Sequence, residues 1–351
     1  MAGDVGFTEG AMFASVRGAS GAAPLPALHE YGANFSIGPG VPPRPPPAAL
    51  SLSEAEQLGL AALNMRQSAT YIRDKEGRAY ADRNWGIAEP GGPQPLHGDL
   101  DPHQDPAPED PSTAAAAPPP GTSERLSGRV AVGIIMVSST RPGIGLGRDQ
   151  QLKIVAEVQN GLSWLGAQSP AKDVTWVYDI HSVTVDVPDV TNGFTYEDFE
   201  APWRDAALES LDLRAGLSGV RNYNQDLRTR LNAEWSYCAF FTRYTLGHFA
   251  YAGLGGPRLV MHYDNDGWGP NNIDRVFAHE TGHIFGAPDE YAASGCHCGG
   301  SHGHLGQPNG NCETCAPGGG VQCIMRANSW AMCSFTPLHL GYTDPGAPPI
   351  S

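Results

Sequence analysis

Residues 271–291 read NNIDRVFAHETGHIFGAPDEY. Ile273, Val276 and Phe277 recur at helical spacing, which predicts a helix over 271–285 with one apolar face. His279 and His283 then stand four residues apart, neighbours on one face of that helix, with Glu280 beside them. Two imidazoles so placed can bind one metal ion, and neutral imidazole is a preferred ligand of zinc. Gly286 stands three positions past the second histidine, where a left-handed residue ends a helix, and Pro288 prevents its resumption. The reversed chain can bring Asp289 back under a metal, and a carboxylate is an acceptable third ligand. The other acids after His283 are Glu290, Glu313 and Asp344. Glu313 sits in a cysteine-rich loop and Asp344 in a Pro/Gly tail, so neither lies on a helix that could supply a distant ligand.

HETGHIFGAPDEY resembles the extended zinc signature HExxHxxGxxH of the metzincin metallopeptidases, in the variant with aspartate as third ligand carried by snapalysin-type bacterial peptidases. The resemblance implies a zincin-like α+β or α/β domain with a twisted mixed sheet, an active-site helix and a Cys/Gly-rich C-terminal subdomain. Residue by residue it implies His279, His283 and Asp289 as zinc ligands and Glu280 as general base. It also implies Met325, in Cys323-Ile324-Met325, as the methionine of a turn beneath the metal. The activity implied is that of a zinc-dependent endopeptidase acting on a protein or peptide. Its substrate would lie along an edge strand, for which HFAYAGL (248–254) is the candidate. Some metzincins place a tyrosine two residues after that methionine; here the residue is Ala327, and Tyr291 is the candidate substitute donor. A zinc amidohydrolase for non-peptide amides and a non-catalytic zinc-binding interaction module are the competing readings, and Glu280 weighs against the second.

Upstream of the motif the pattern is that of an ordered α/β domain. VAVGIIMVSS (130–139) is a near-continuous apolar run, as in a strand covered on both faces. A helix is expected over 148–166, a β-branched and aromatic strand over 173–187, and helices near 197–213 and 218–234. Strands follow at 237–245, 248–254 and 258–264, and 264–272 reads as a turn into the metal helix. Gly143, Gly145 and Gly147 do not make a dinucleotide fingerprint, because Arg148 takes the last glycine's place. Asp264, Asn265 and Asp266 do not make an EF-hand, because the twelfth position is Arg275.

Composition divides the 351 residues. Most of the 31 prolines fall within residues 1–127, which contain no cysteine. That stretch reads as a proline-rich appendage, a pro-segment or a disordered arm, with one helix near 51–75 opened by a Ser53/Glu56 capping box. As a pro-segment it could reach the metal only through a group such as His97, Asp99 or Asp101. The peptidase domain is then 128–343, an upper part to Gly286 and a cysteine-rich lower part from Ala287, with 344–351 as a tail. With 37 acidic against 22 basic residues and a net charge of −15, a nucleic-acid partner is excluded, and no apolar run suits a membrane span. A monomer is expected. No signal peptide is recognisable, while the resemblance and the cysteine-rich loop favour secretion.

Cys296, Cys298, Cys312, Cys315, Cys323 and Cys333 crowd the lower part, and Cys238 stands alone in an apolar strand as a buried free thiol. The six can form three disulfides, or a second, structural zinc site with His297, His302 or His304 joining the CxC and CxxC pairs. Calcium is left open by the acidic balance, without specific ligands.

Overall fold

The computed structural model describes residues 12–16, 28–31, 35–39, 52–88 and 121–342. Expectations for the proline-rich stretches beyond Pro39, for His97, Asp99 and Asp101, and for the 344–351 tail lie outside the described residues.

Three short strands come first: β1 (Met12–Val16), β2 (His29–Tyr31) and β3 (Phe35–Pro39). Two helices follow, α1 (Glu54–Arg66) and α2 (Ala69–Glu76). Then come β4 (Arg129–Ser139), α3 (Arg148–Ala167), β5 (Thr175–Val185), α4 (Tyr196–Ser210) and α5 (Gly216–Arg230). The chain continues through β6 (Trp235–Thr242), β7 (Ala250–Ala252), β8 (Arg258–His262), α6 (Ile273–Ile284) and α7 (Thr336–Leu340). The eight strands form one mixed sheet in the order β1-β3-β2-β5-β4-β6-β8-β7. Its centre is parallel, and β7 closes one edge antiparallel to β8.

The apolar run of β4 is buried on both faces, as a central parallel strand must be. Val130, Val132, Ile134 and Met136 share a core with Ile154, Val158 and Leu162 of α3 and with Val276 and Phe277 of α6. Ala131, Ile135 and Val137 point the other way, onto Trp203 of α4 and Val220 and Leu227 of α5. The molecule is therefore layered helix–sheet–helix, with the metal-motif helix on the face shared with α1 and α3.

The appendage expectation is corrected where residues before 128 are described. Parallel pairing of β2 with β5 extends the sheet, and α1 packs on α3 in the main core. Tyr31, Phe35, Ile37, Leu58, Tyr71 and Trp85 are all buried there. Composition misled because proline and glycine dominate the average, while strands of three and five residues are too short to display a period. The capping box itself is present: the Glu56 amide donates to Ser53 Oγ, and the Ser53 amide to the Glu56 carboxylate.

A second set of contacts ties this early chain to the motif helix. Arg78 grips Asp274 of α6 with two bonds of 2.9 and 3.1 Å, and Lys75 reaches the same carboxylate at 3.0 Å. Burial works against a charged Asp274, yet Arg78, Lys75 and Arg275 hold its carboxyl well below the usual carboxylate range. Among the described residues no helix is long and apolar enough to cross a membrane.

Candidate metal centre

Every residue of α6 is buried. The helix ends in paired C-terminal bonds: the Gly286 amide donates to the His283 carbonyl at 2.8 Å and the Ala287 amide to the Gly282 carbonyl at 2.9 Å. Gly286 has φ +84°, the left-handed value that glycine adopts without strain. This turn carries the chain under the histidines and brings Asp289 back to them.

The Nε2 atoms of His279 and His283 lie 3.0 Å apart, and Asp289 Oδ1 is 3.2 Å from each. A point about 2 Å from all three atoms, the reach of a zinc–nitrogen or zinc–oxygen bond, exists just off the plane of that triangle. The far side of each ring decides what the near side presents. His279 Nδ1 faces the Ile324 carbonyl at 3.0 Å and His283 Nδ1 faces the Ala287 carbonyl at 2.8 Å. Carbonyls only accept, so both Nδ1 atoms carry the hydrogen and both neutral rings turn a lone pair toward Asp289. Two lone pairs and a carboxylate oxygen so close together repel unless a cation or a proton lies among them. The donor set therefore fits a divalent metal, and the carbonyl partners are of the kind that orient histidines for metal binding. Burial opposes charge on His279, but its bond to Asp289 and the nearby Asp289 and Glu280 carboxylates raise its pKa above the ordinary imidazole value.

Glu280 is fully buried, and its carboxylate lies within 4.8 Å of the ligand nitrogens of both histidines. Met325 lies beneath: a Cβ added at Gly282 would come 2.6 Å from its Sδ. Glycine at 282 thus leaves the room on α6 that this methionine fills. Tyr291 is buried with its hydroxyl 3.5 Å from Asp289 Oδ2, so it faces the third candidate ligand.

β7 occupies the edge of the sheet, inside the 248–254 stretch expected there, and its three residues are buried. The Tyr251 hydroxyl donates to Glu200 at 2.8 Å, and Arg258 and Arg204 bind the same buried carboxylate, which fixes this edge to α4.

Trp85 is the site residue that sequence reasoning missed. Its ring lies 5.4 Å from that of His279, and its Nε1 donates to the Ile324 carbonyl at 2.7 Å. Residues 82–85 run against the Met325 turn, with Asp82 N bonded to Asn328 O, Asn328 N to Arg83 O and Trp85 N to Arg326 O. No local pattern marks a tryptophan whose partner is 239 residues away.

The cysteines resolve in part. Cys296 is bonded to Cys312 and Cys298 to Cys315. A second zinc on the CxC and CxxC pairs is thereby corrected, since all four sulfurs are consumed. Cys323 and Cys333 are buried thiols, as is Cys238. Glu313 is engaged by Arg326, Asn84 and the Ala292 amide, away from the metal triangle. Asn265–Gly267 and Pro270–Asn272 form two short 3-10 turns leading into α6, within the 264–272 stretch expected as a turn.

A scan of protein-family models returns no match to this chain, and a search of curated proteins returns none.

Proposed function

We propose that the chain is a zinc-dependent endopeptidase of metzincin type, with His279, His283 and Asp289 as the metal ligands. The observation that carries the reading is the convergence of His279 Nε2, His283 Nε2 and Asp289 Oδ1 within 3.0–3.2 Å of one another, beside a buried Glu280. A zinc ion there supplies Lewis acidity, which acidifies water toward neutrality and polarises a scissile carbonyl.

The chain's own residues do the rest. Glu280 accepts the proton of the attacking water and delivers it to the departing amine. Ile324 and Ala287, through their carbonyls, hold both imidazoles in the tautomer that turns Nε2 toward the metal position. Asp289 adds negative charge, which tempers the metal's acidity relative to a third histidine. On this reading an extended peptide substrate pairs along edge strand β7.

Substituting Glu280→Gln tests the assignment: casein cleavage falls by at least about a hundredfold, as loss of a general base predicts, while zinc content stays at the wild-type level. Unchanged cleavage would refute Glu280 as base. The second reading, a hydrolase for small non-peptide amides, is favoured by ligand exposures of 1%, 2% and 4% for His279, His283 and Asp289. Metal-dependent hydrolysis of small amides with no cleavage of any protein substrate would select it.

A further inference from the structure

Two cysteines left out of the disulfides meet a buried carboxylate. Cys333 Sγ lies 3.0 Å from Glu290 Oε1, and no two of Cys323 Sγ, Cys333 Sγ and the Glu290 ligand oxygen are more than 4.8 Å apart. Thr336 Oγ1 touches all three, at 3.2 Å from Cys323 Sγ, 3.3 Å from Cys333 Sγ and 3.1 Å from Glu290 Oε1. Asn311 donates to the other carboxylate oxygen at 2.6 Å, leaving Oε1 to the sulfurs. All four donor residues are buried.

We propose that Cys323, Cys333 and Glu290, with Thr336 as fourth donor, form a second, structural site for zinc. Three backbone amides are aimed at the sulfurs, each at 3.4 Å: Cys333 N at Cys323 Sγ, and Phe335 N and Thr336 N at Cys333 Sγ. A neutral thiol is a weak acceptor, whereas a thiolate rewards such donors. Two thiolates and a carboxylate buried together are stable only with a cation among them. Thiolate sulfur selects a soft or borderline ion, and four donors without solvent access make a closed site of the structural kind.

The position of the cluster gives it a purpose. Cys323 directly precedes Ile324, whose carbonyl orients His279, and Glu290 directly follows Asp289. An ion joining Cys323 to Glu290 therefore ties the Met325 turn and the third candidate ligand to one post. The inference does not depend on catalysis at the first centre.

Because the first centre has no sulfur ligand, cobalt reports on the second one alone. The full chain, loaded with Co²⁺ in place of zinc, is expected to show thiolate-to-metal charge-transfer absorption in the near ultraviolet. It is expected to hold two zinc ions per chain before exchange. Cys323→Ser/Cys333→Ser abolishes the band and lowers the zinc count by one. His279→Ala/His283→Ala keeps the band and loses the other ion. Wild-type protein without the band overturns the proposal, whatever its peptidase activity. So does a peptide in which Cys323 and Cys333 are joined and lighter by two hydrogens, which identifies a third disulfide instead.

Discussion

Trp85 Nε1 and His279 Nδ1 donate to the same oxygen, the carbonyl of Ile324, at 2.7 and 3.0 Å. One acceptor thus links the early chain, the Met325 turn and the metal-motif helix. The orientation of His279, a proposed ligand, is thereby tied to a residue nearly two hundred positions before it.

Trp85→Phe keeps most of the ring that packs on His279 and removes the N–H. Ile324 then has one donor fewer holding it, and His279 is less well oriented. Loss of such an outer partner lowers metal affinity about tenfold to a hundredfold. Competition against a calibrated chelator measures it, with circular dichroism checking that the fold persists. Wild-type affinity in this variant would remove Trp85 from the centre.

Gly282→Ala places a methyl group 2.6 Å from Met325 Sδ. The flexible thioether end of Met325 must shift to make room, but the side chain is fully buried, so this overpacking is expected to cost about 1 kcal/mol. Met325→Ala should relieve the clash, making the double variant less destabilised than the two single costs summed. Urea midpoints for the four proteins supply the cycle. Strict additivity would mean that the two residues do not press on each other.

His29, in β2, lies between the Tyr178 hydroxyl at 2.7 Å and the Ser163 hydroxyl at 2.8 Å, fully buried. Burial pulls its pKa from 6.5 down to about 3. The folded ring therefore stays neutral while the unfolded ring takes up a proton below pH 6.5. Stability is lost as pH falls through that value, at up to about 1.4 kcal/mol per unit, until the folded pKa is reached. His339, pulled to about 4 by burial, adds to the same slope. Urea unfolding between pH 7 and 5 should steepen this loss in the wild type relative to His29→Gln. Parallel slopes would show that His29 is not held neutral.

What the sequence disclosed follows the range of the interactions. The i,i+4 pair of His279 and His283, the glycine stop at Gly286 and the return of Asp289 are all local, and the spacing of a few residues displays them. The central strands β4 and β6 were legible because burial on both faces leaves long apolar runs, and β5 because it is rich in β-branched and aromatic residues. The early strands were not. HEY and FSIGP gain their order from pairing with each other and with β5, partners that a window of sequence does not contain. Cysteine pairing was undecidable for the same reason: which of six sulfurs meet is settled by the path of the loop, and Glu290 joins two of them only in three dimensions.

The central claim is that His279, His283 and Asp289 together hold a divalent transition metal, and anomalous scattering at the zinc edge tests it most directly. In crystals of the full chain grown without added metal, a peak is expected about 2 Å from His279 Nε2, His283 Nε2 and Asp289 Oδ1 alike. A map without density at that point, from a chain folded as described and soaked in zinc, would contradict the account.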